Sequence, residues 1–136
     1  MILNGTSSCN IAKQLLYEIG AWVRQIEFFS QEIFHMKNRL SEVIDHVQDR
    51  EQLALAEHYQ NQFIIKDDLF DHMKHELRSH ASRCKEGKST ELKSLAPEIL
   101  KAQNNFREQV KFMEEELMVL NKDYNTYLSN IAFSRN

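Results

Sequence analysis

Apolar residues recur along the first third of the chain in alternating steps of four and three. The alternation is uninterrupted over ten residues, which are Leu15, Ile19, Trp22, Ile26, Phe29, Ile33, Met36, Leu40, Val43 and Val47. A mean spacing of 3.5 residues is typical of helices that pack in the manner of a coiled coil. The pattern predicts a first helix over about residues 10–48. We refer to such an apolar series as the seam of its helix.

The same spacing continues in two further segments. Asp49 and Gln52 form a capping-box pattern, which predicts a second helix over about residues 50–84. Its seam comprises Ala56, Tyr59, Phe63, Lys66, Phe70, Met73, Leu77, His80 and Cys84. A third helix is predicted over about residues 95–130, with the seam Ile99, Gln103, Phe106, Val110, Met113, Leu117, Leu120, Tyr124, Tyr127 and Ile131. Residues 85–94, with Gly87, form the predicted loop.

Helices of about 35 residues with short connections predict an all-α fold. We expect an antiparallel up-down-up three-helix bundle with coiled-coil-like packing, as one domain over residues 1–136; a helical hairpin that swaps or dimerises is the alternative. The composition agrees, because three glycines and one proline leave too few turn residues for sandwiches, barrels or doubly wound sheets. Gly20 alone lies inside a predicted helix, and we expect a close helix crossing beside Trp22 to explain it.

Charge and hydropathy narrow the range of partners. The net charge is −3, and the segment sums are −2 for residues 10–49, −1 for 50–84, +1 for 85–95 and −1 for 96–136. This even spread offers no basic block to a nucleic acid. No apolar run reaches the roughly 20 residues of a membrane span, and the N-terminal sequence lacks the features of a signal peptide. We therefore expect a cytoplasmic protein without a membrane or nucleic-acid partner, in which Cys9 and Cys84 are free thiols and not a disulfide.

The second predicted helix carries residues that could bind a metal. His72 and Glu76 are four residues apart, as are Glu76 and His80, and His75 and Asp71 lie on the same segment. Imidazole and carboxylate at this spacing can bind iron or zinc. The alternative, which we favour, is a solvated helix face with weak ion pairs. The Glu-x-x-His motif of di-iron bundles occurs only once, at Glu32 and His35 of the first helix, and companion histidine pairs are missing.

Catalytic motifs are absent from the sequence. It has no Gly-x-Ser-x-Gly elbow, phosphate loop, dinucleotide fingerprint or Cys-x-x-Cys pair, so we expect a protein that is not an enzyme and uses no cofactor. Three seam positions are polar. His80 is expected to find a polar partner at the edge of the core, while Lys66 and Gln103 either turn their polar ends outward or fix the register of the helices.

Large apolar residues also lie outside the seams. A wide core face would account for Ile44, Leu69, Phe112 and Val119. It accounts poorly for Phe28, Phe34, Ile64 and Ile65, and exposed apolar groups commonly mark an interface. We therefore predict a non-enzymatic helical scaffold that binds another protein or itself through these four residues, most simply as a homodimer. A metal-binding bundle that uses the histidines of the second helix is the alternative function.

The segment from Leu55 to Ile64, LAEHYQNQFI, and the histidine-rich segment from Asp71 to Glu76 resemble sequences of small helical-bundle proteins in Bacteroidota. The resemblance extends over most of the chain. It implies a cytoplasmic protein with two long helices, a variable loop and a third helix, and no assigned activity or functional residue comes with it. If the first segment is a hallmark of that group, a partner would contact its polar residues, which are Glu57, His58, Gln60, Asn61 and Gln62.

Overall fold

A computed structural model describes the backbone of residues 3–86 and 92–134, and the side chains of residues 10–86 and 97–131. The described backbone forms three helices, α1 (Leu3–Ile44), α2 (Arg50–Glu86) and α3 (Leu92–Ser134), with a turn at residues 45–49. It contains no strand. The protein is an all-α three-helix bundle, and this prediction is confirmed.

Hydrogen bonds between the helices show the direction in which each helix runs. The bonded pairs are Leu15–Gln103 and Glu18–Arg107 between α1 and α3, and Lys66–Glu116 and Gln52–Tyr127 between α2 and α3. Residue numbers rise together in the first two pairs, so α1 and α3 run the same way. They change in opposite senses in the other two, so α2 runs against α3. The order is up-down-up, as the short connections predicted.

The end of α1 lies four residues before the predicted one. The amide of His46 donates to the carbonyl of Val43 at 3.0 Å, and the amide of Val47 donates to that of Ile44 at 3.3 Å. Such i→i−3 bonds tighten the chain into a turn. Val47 nevertheless stays buried, so the apolar spacing continues past the last residue of the α-helix. That is why the spacing alone could not locate this end.

The start of α2 agrees with the predicted cap position. The amide of Leu53 donates to the backbone carbonyl of Asp49 at 3.0 Å, which is the first bond of the helix ladder. Elsewhere the helices are longer than predicted: α1 begins at Leu3, α2 continues to Glu86, and α3 runs over Leu92–Ser134. Propagation gains one hydrogen bond per added residue, so helices extend beyond their apolar pattern. Residues 87–91 of the predicted loop, with Gly87, lie outside the described residues.

The seams form the interior of the bundle. Every seam residue is buried or half-buried, and Ala12 is the one buried side chain among residues 10–86 and 97–131 that belongs to no seam. The prediction of a wider core face is wrong for three residues: Leu69, Phe112 and Val119 are 41%, 59% and 60% exposed. Ile44 is half-buried. The reason is that only the narrow stripe of seam positions points between the helices.

The close helix crossing predicted at Gly20 is also wrong. A Cβ atom added to Gly20 would meet only Nη1 of Arg24, at 3.5 Å, which is an ordinary van der Waals contact with the end of a mobile side chain. No neighbouring helix requires a glycine at this position.

Contacts between the helices divide the chain into two compact units. Unit 1 comprises Met1–Ile26 and Asp71–Phe112, and unit 2 comprises Glu27–Phe70 and Met113–Asn136. Each unit therefore takes one segment from every helix. The single domain over residues 1–136 stays a prediction. In the described part of the chain, no helix combines the length and the apolar character that a membrane crossing requires.

Candidate interaction surface

The four residues predicted to anchor an interface all lie on the surface of unit 2. Phe28 and Phe34 of α1 are 59% and 58% exposed, and Ile64 and Ile65 of α2 are 47% and 49% exposed. They are exposed because the neighbouring seam residues already fill the space between the helices. The structure thus places these four side chains where a partner could cover them.

The same part of unit 2 carries further exposed apolar residues. The Phe29 and Phe70 rings are 5.7 Å apart, which brings Phe28 and Leu69, their neighbours in sequence, to the same level of the helices. Lys66 of α2 donates to Glu116 of α3 at 3.0 Å, so the exposed residues after Glu116 lie at that level too. We define the belt of unit 2 as Phe28, Phe34, Ile64, Ile65, Leu69, Met118 and Val119.

Sequence reasoning missed part of this belt. The apolar inventory predicts Leu69 and Val119 in the core and makes no prediction for Met118, which is 65% exposed. Met118 and Val119 lie between the seam residues Leu117 and Leu120, and side chains between seam positions point away from the core. The seam register, applied strictly, would have placed all three on the surface.

Carboxylates lie beside two residues of the belt. Asp68 lies four residues after Ile64, and Glu115 lies four residues before Val119, so each pair shares a helix face. Asp67, which precedes Asp68 on α2, forms an ion pair with Lys37 of α1. Acidic side chains thus lie beside belt residues on both α2 and α3, and Lys122 lies four residues after Met118.

The two units differ in net charge, although the charges are evenly spread along the sequence. Unit 1 has 11 basic and 7 acidic side chains and a net charge of +4, whereas unit 2 has 6 basic and 13 acidic ones and a net charge of −7. The sums taken along the sequence conceal this, because each helix contributes one segment to either unit. The conclusion that charge is evenly distributed is therefore corrected.

The histidine-rich segment of α2 does not gather around one point. His72 Nε2 lies 3.0 Å from Glu76 Oε1 in an exposed i,i+4 pair, and His75 is also exposed. His80 is only 2% exposed and faces the interior. Among the described side chains, no three histidine, cysteine, aspartate or glutamate residues are arranged to hold a metal ion. His72 and Glu76 thus contact each other on an exposed face of α2, and His80 points into the interior.

A buried polar cluster occupies the interior of unit 1. His80 Nε2 lies 2.7 Å from Oε1 of Gln103, whose amide nitrogen donates to the carbonyl of Leu15 at 3.2 Å and to Glu18 Oε1 at 2.9 Å. Arg107 binds the same carboxylate with two nitrogens and lies over the Trp22 ring, 5.8 Å from its centroid. Gln103 thus joins all three helices, as a register-fixing polar residue would.

The hydrogen bonds determine the tautomer of His80. Because the amide nitrogen of Gln103 donates to α1, its oxygen must accept, and the proton of His80 therefore sits on Nε2. Nδ1 is then a bare acceptor, and it has no hydrogen-bond partner. Burial lowers the pKa of His80, although the hydrogen bond that His80 donates to Gln103 opposes the shift.

The contact between Cys84 and His80 does not create a nucleophile. Cys84 Sγ lies 3.8 Å from His80 Nε2 in the interior. Burial raises the pKa of the Cys84 thiol and lowers that of the imidazole, so both groups stay neutral near pH 7. Cys84 is a buried free thiol, whereas the side chain of Cys9 lies outside the described residues.

The third polar seam residue, Lys66, finds an ionic partner in unit 2. Its ammonium donates to Glu116, and the lysine side chain is 12% exposed while that of the glutamate is 39% exposed. The carboxylate thus lies nearer to solvent than the lysine, and the ammonium reaches outward to meet it.

Comparison with protein-family models, with curated proteins and with solved structures finds no match to this chain. The resemblance to helical proteins of Bacteroidota stays a prediction. Of the polar residues in that segment, Glu57, His58, Gln60 and Asn61 are exposed and Gln62 is half-buried.

Proposed function

We propose that this protein is a non-enzymatic helical scaffold that associates with a second copy of itself through the belt of unit 2. The exposed belt carries the proposal: seven large apolar side chains stay on the surface although the seams already form a complete interior. Phe28, Phe34, Ile64 and Ile65 are its anchors. A cytoplasmic location stays part of the proposal as a prediction from sequence.

The exposed area of the anchors indicates weak association. Burying a Phe or Ile side chain completely contributes about 1.5–3 kcal/mol, so one that is already half-buried offers roughly 1 kcal/mol. Part of this gain offsets the loss of translational and rotational freedom on binding. We therefore expect reversible association with a dissociation constant in the micromolar range or weaker.

A role other than catalysis is supported by the chemistry of the interior. The Cys84 thiol and the His80 imidazole are neutral, and the Glu18 carboxylate is bound by Arg107. His80 and Glu18 bind residues of α3 and so link the helices, which supports a function carried by the surface.

Sedimentation velocity over a wide concentration range tests the proposal. The wild-type chain should shift from monomer to dimer as concentration rises. Phe34→Gln should weaken this association by about tenfold, which corresponds to about 1.4 kcal/mol. A wild-type chain that stays monomeric throughout would overturn the proposed function.

The chain offers a matched control on the same helix. Ile64 is 47% exposed and belongs to the belt, whereas Leu55 is 46% exposed and lies outside it. Ile64→Gln should weaken association, and Leu55→Gln should leave it within about twofold of the wild type. Equal effects of the two substitutions would show that general surface hydrophobicity, and not the belt, drives association.

A further inference from the structure

The opposite charges of the two units restrict how two copies can meet. Unit 2, which carries the belt, has a net charge of −7, and unit 1 has a net charge of +4. A contact between the belts of two copies would bring two strongly acidic surfaces together. Like-charge contact across an interface disfavours that arrangement, whereas complementary charge guides association and selects its orientation.

Unit 1 has the features that a complementary surface needs. It exposes the large apolar residues Ile11, Tyr17, Leu100 and Phe112. Lys13 lies four residues before Tyr17 on the same helix face, and exposed Lys101 and Lys111 adjoin Leu100 and Phe112 in sequence. Glu108 lies four residues before Phe112, so the surface of unit 1 is mixed, and its net charge of +4 is what distinguishes it from unit 2, which carries the belt.

We infer that the belt of unit 2 binds unit 1 of a second copy, so that unlike units meet in the assembly. The inference rests on the proposed self-association and adds the identity of the docking surface. Apolar side chains from both units lose exposure to water, and lysines of one copy face carboxylates of the other.

The dependence of the dissociation constant on salt decides between unlike and like contacts. Raising sodium chloride from about 0.1 M to about 1 M shortens the screening length from about 10 Å to about 3 Å. Contact between unlike units should then weaken by about tenfold, because attraction is screened. Contact between two copies of unit 2 should instead tighten, because repulsion is screened.

Charge-reversal variants give an independent readout at low salt. Lys101→Glu combined with Lys111→Glu changes unit 1 from +4 to a net charge of zero and should weaken association by about tenfold. Lys122→Glu is the matched control, because Lys122 is an exposed lysine of the same helix in unit 2. It makes unit 2 more acidic and should leave association unchanged or tighten it. Circular dichroism and urea titration verify that each variant is folded.

The outcomes separate this inference from the proposal on which it rests. A dimer that weakens with salt and with reversal in unit 1 supports the contact of unlike units. A dimer that tightens with salt, or that Lys122→Glu weakens while reversal in unit 1 does not, overturns the inference and leaves self-association in place. A wild-type chain that remains monomeric at all concentrations overturns both.

Discussion

His80 and Gln103 form a buried hydrogen bond, 2.7 Å long, between α2 and α3. Both side chains are at least 98% buried, and both occupy seam positions that apolar residues hold elsewhere. The same glutamine amide reaches α1 through the carbonyl of Leu15 and the carboxylate of Glu18. A shift of one helix relative to the others would break these bonds, so the cluster fixes the register of unit 1.

The stability of the protein should fall as the pH drops below about 6.5, the ordinary pKa of histidine. Burial lowers the pKa of His80 in the folded protein. As the pH falls, the unfolded chain therefore binds a proton before the folded protein does, and the free energy of unfolding decreases. The contribution of His80 to the free energy of unfolding is complete above the pKa that histidine has in the unfolded chain. It declines by at most about 1.4 kcal/mol per pH unit between 6.5 and the lowered pKa. Urea titrations between about pH 8 and pH 5 measure this slope.

Variants assign that slope to His80. His80→Leu should flatten the pH dependence over this window, whatever its effect on absolute stability. His75→Gln, at an exposed position of the same helix, should retain it. The charged groups nearby are Arg83, Glu18 and Arg107. The hydrogen bond from Arg107 lowers the pKa of Glu18. The contribution of Glu18 to stability is therefore lost only below the ordinary pKa of 4.5, outside the pH range of this experiment.

Replacing Gln103 by leucine should destabilise the protein by about 1–3 kcal/mol, because His80 would keep a buried donor without an acceptor. Combining Gln103→Leu with His80→Leu should cost less than the sum of the two single changes, since an apolar pair leaves no unsatisfied donor. A double-mutant cycle on the free energy of unfolding measures this coupling. Strict additivity would contradict the shared role of the two residues.

Gly20→Ala should stabilise the protein by about 0.5–1 kcal/mol. Glycine inside a helix loses more backbone freedom on folding than alanine does, and the added methyl group would meet only the Arg24 guanidinium at 3.5 Å. Thermal and urea unfolding measure the gain. Ala54→Gly, at an exposed position of α2, is the reverse control and should cost a similar amount. A destabilised Gly20→Ala chain would indicate a close approach at this site.

Tyr124→Phe should reduce stability by about 1 kcal/mol, because the phenol donates to the carbonyl of Met36 at 3.1 Å in the interior of unit 2. Burial raises the pKa of Tyr124 to about 12. The fold thus loses stability as the pH rises above about 10, the ordinary value, and Tyr124→Phe should reduce that loss. Spectroscopic titration of the phenols should lose its latest step. Tyr17→Phe, at a position 76% exposed, should leave the free energy of unfolding near pH 7 unchanged.

Sequence reasoning was most reliable where burial followed from local spacing. The step of 3.5 residues identified the interior almost completely, because in a helix this spacing decides which side chains point between neighbours. The prediction of a wider core face was wrong for Leu69, Phe112 and Val119, which lie outside the seams and are exposed. Sequence reasoning also failed at Gly20, because one sequence cannot show whether a glycine faces a neighbouring helix or open space.

The sequence by itself determined the helices, the residues that line the interior and the exposed position of Phe28, Phe34, Ile64 and Ile65. These follow from interactions over one or two helical turns. The tertiary structure alone decided that His80 meets Gln103 across 23 positions of sequence. It also decided that charges evenly spread along the chain collect as +4 in unit 1 and −7 in unit 2. Folding back at the turns between helices brings distant segments together, and no local pattern records which of them will meet.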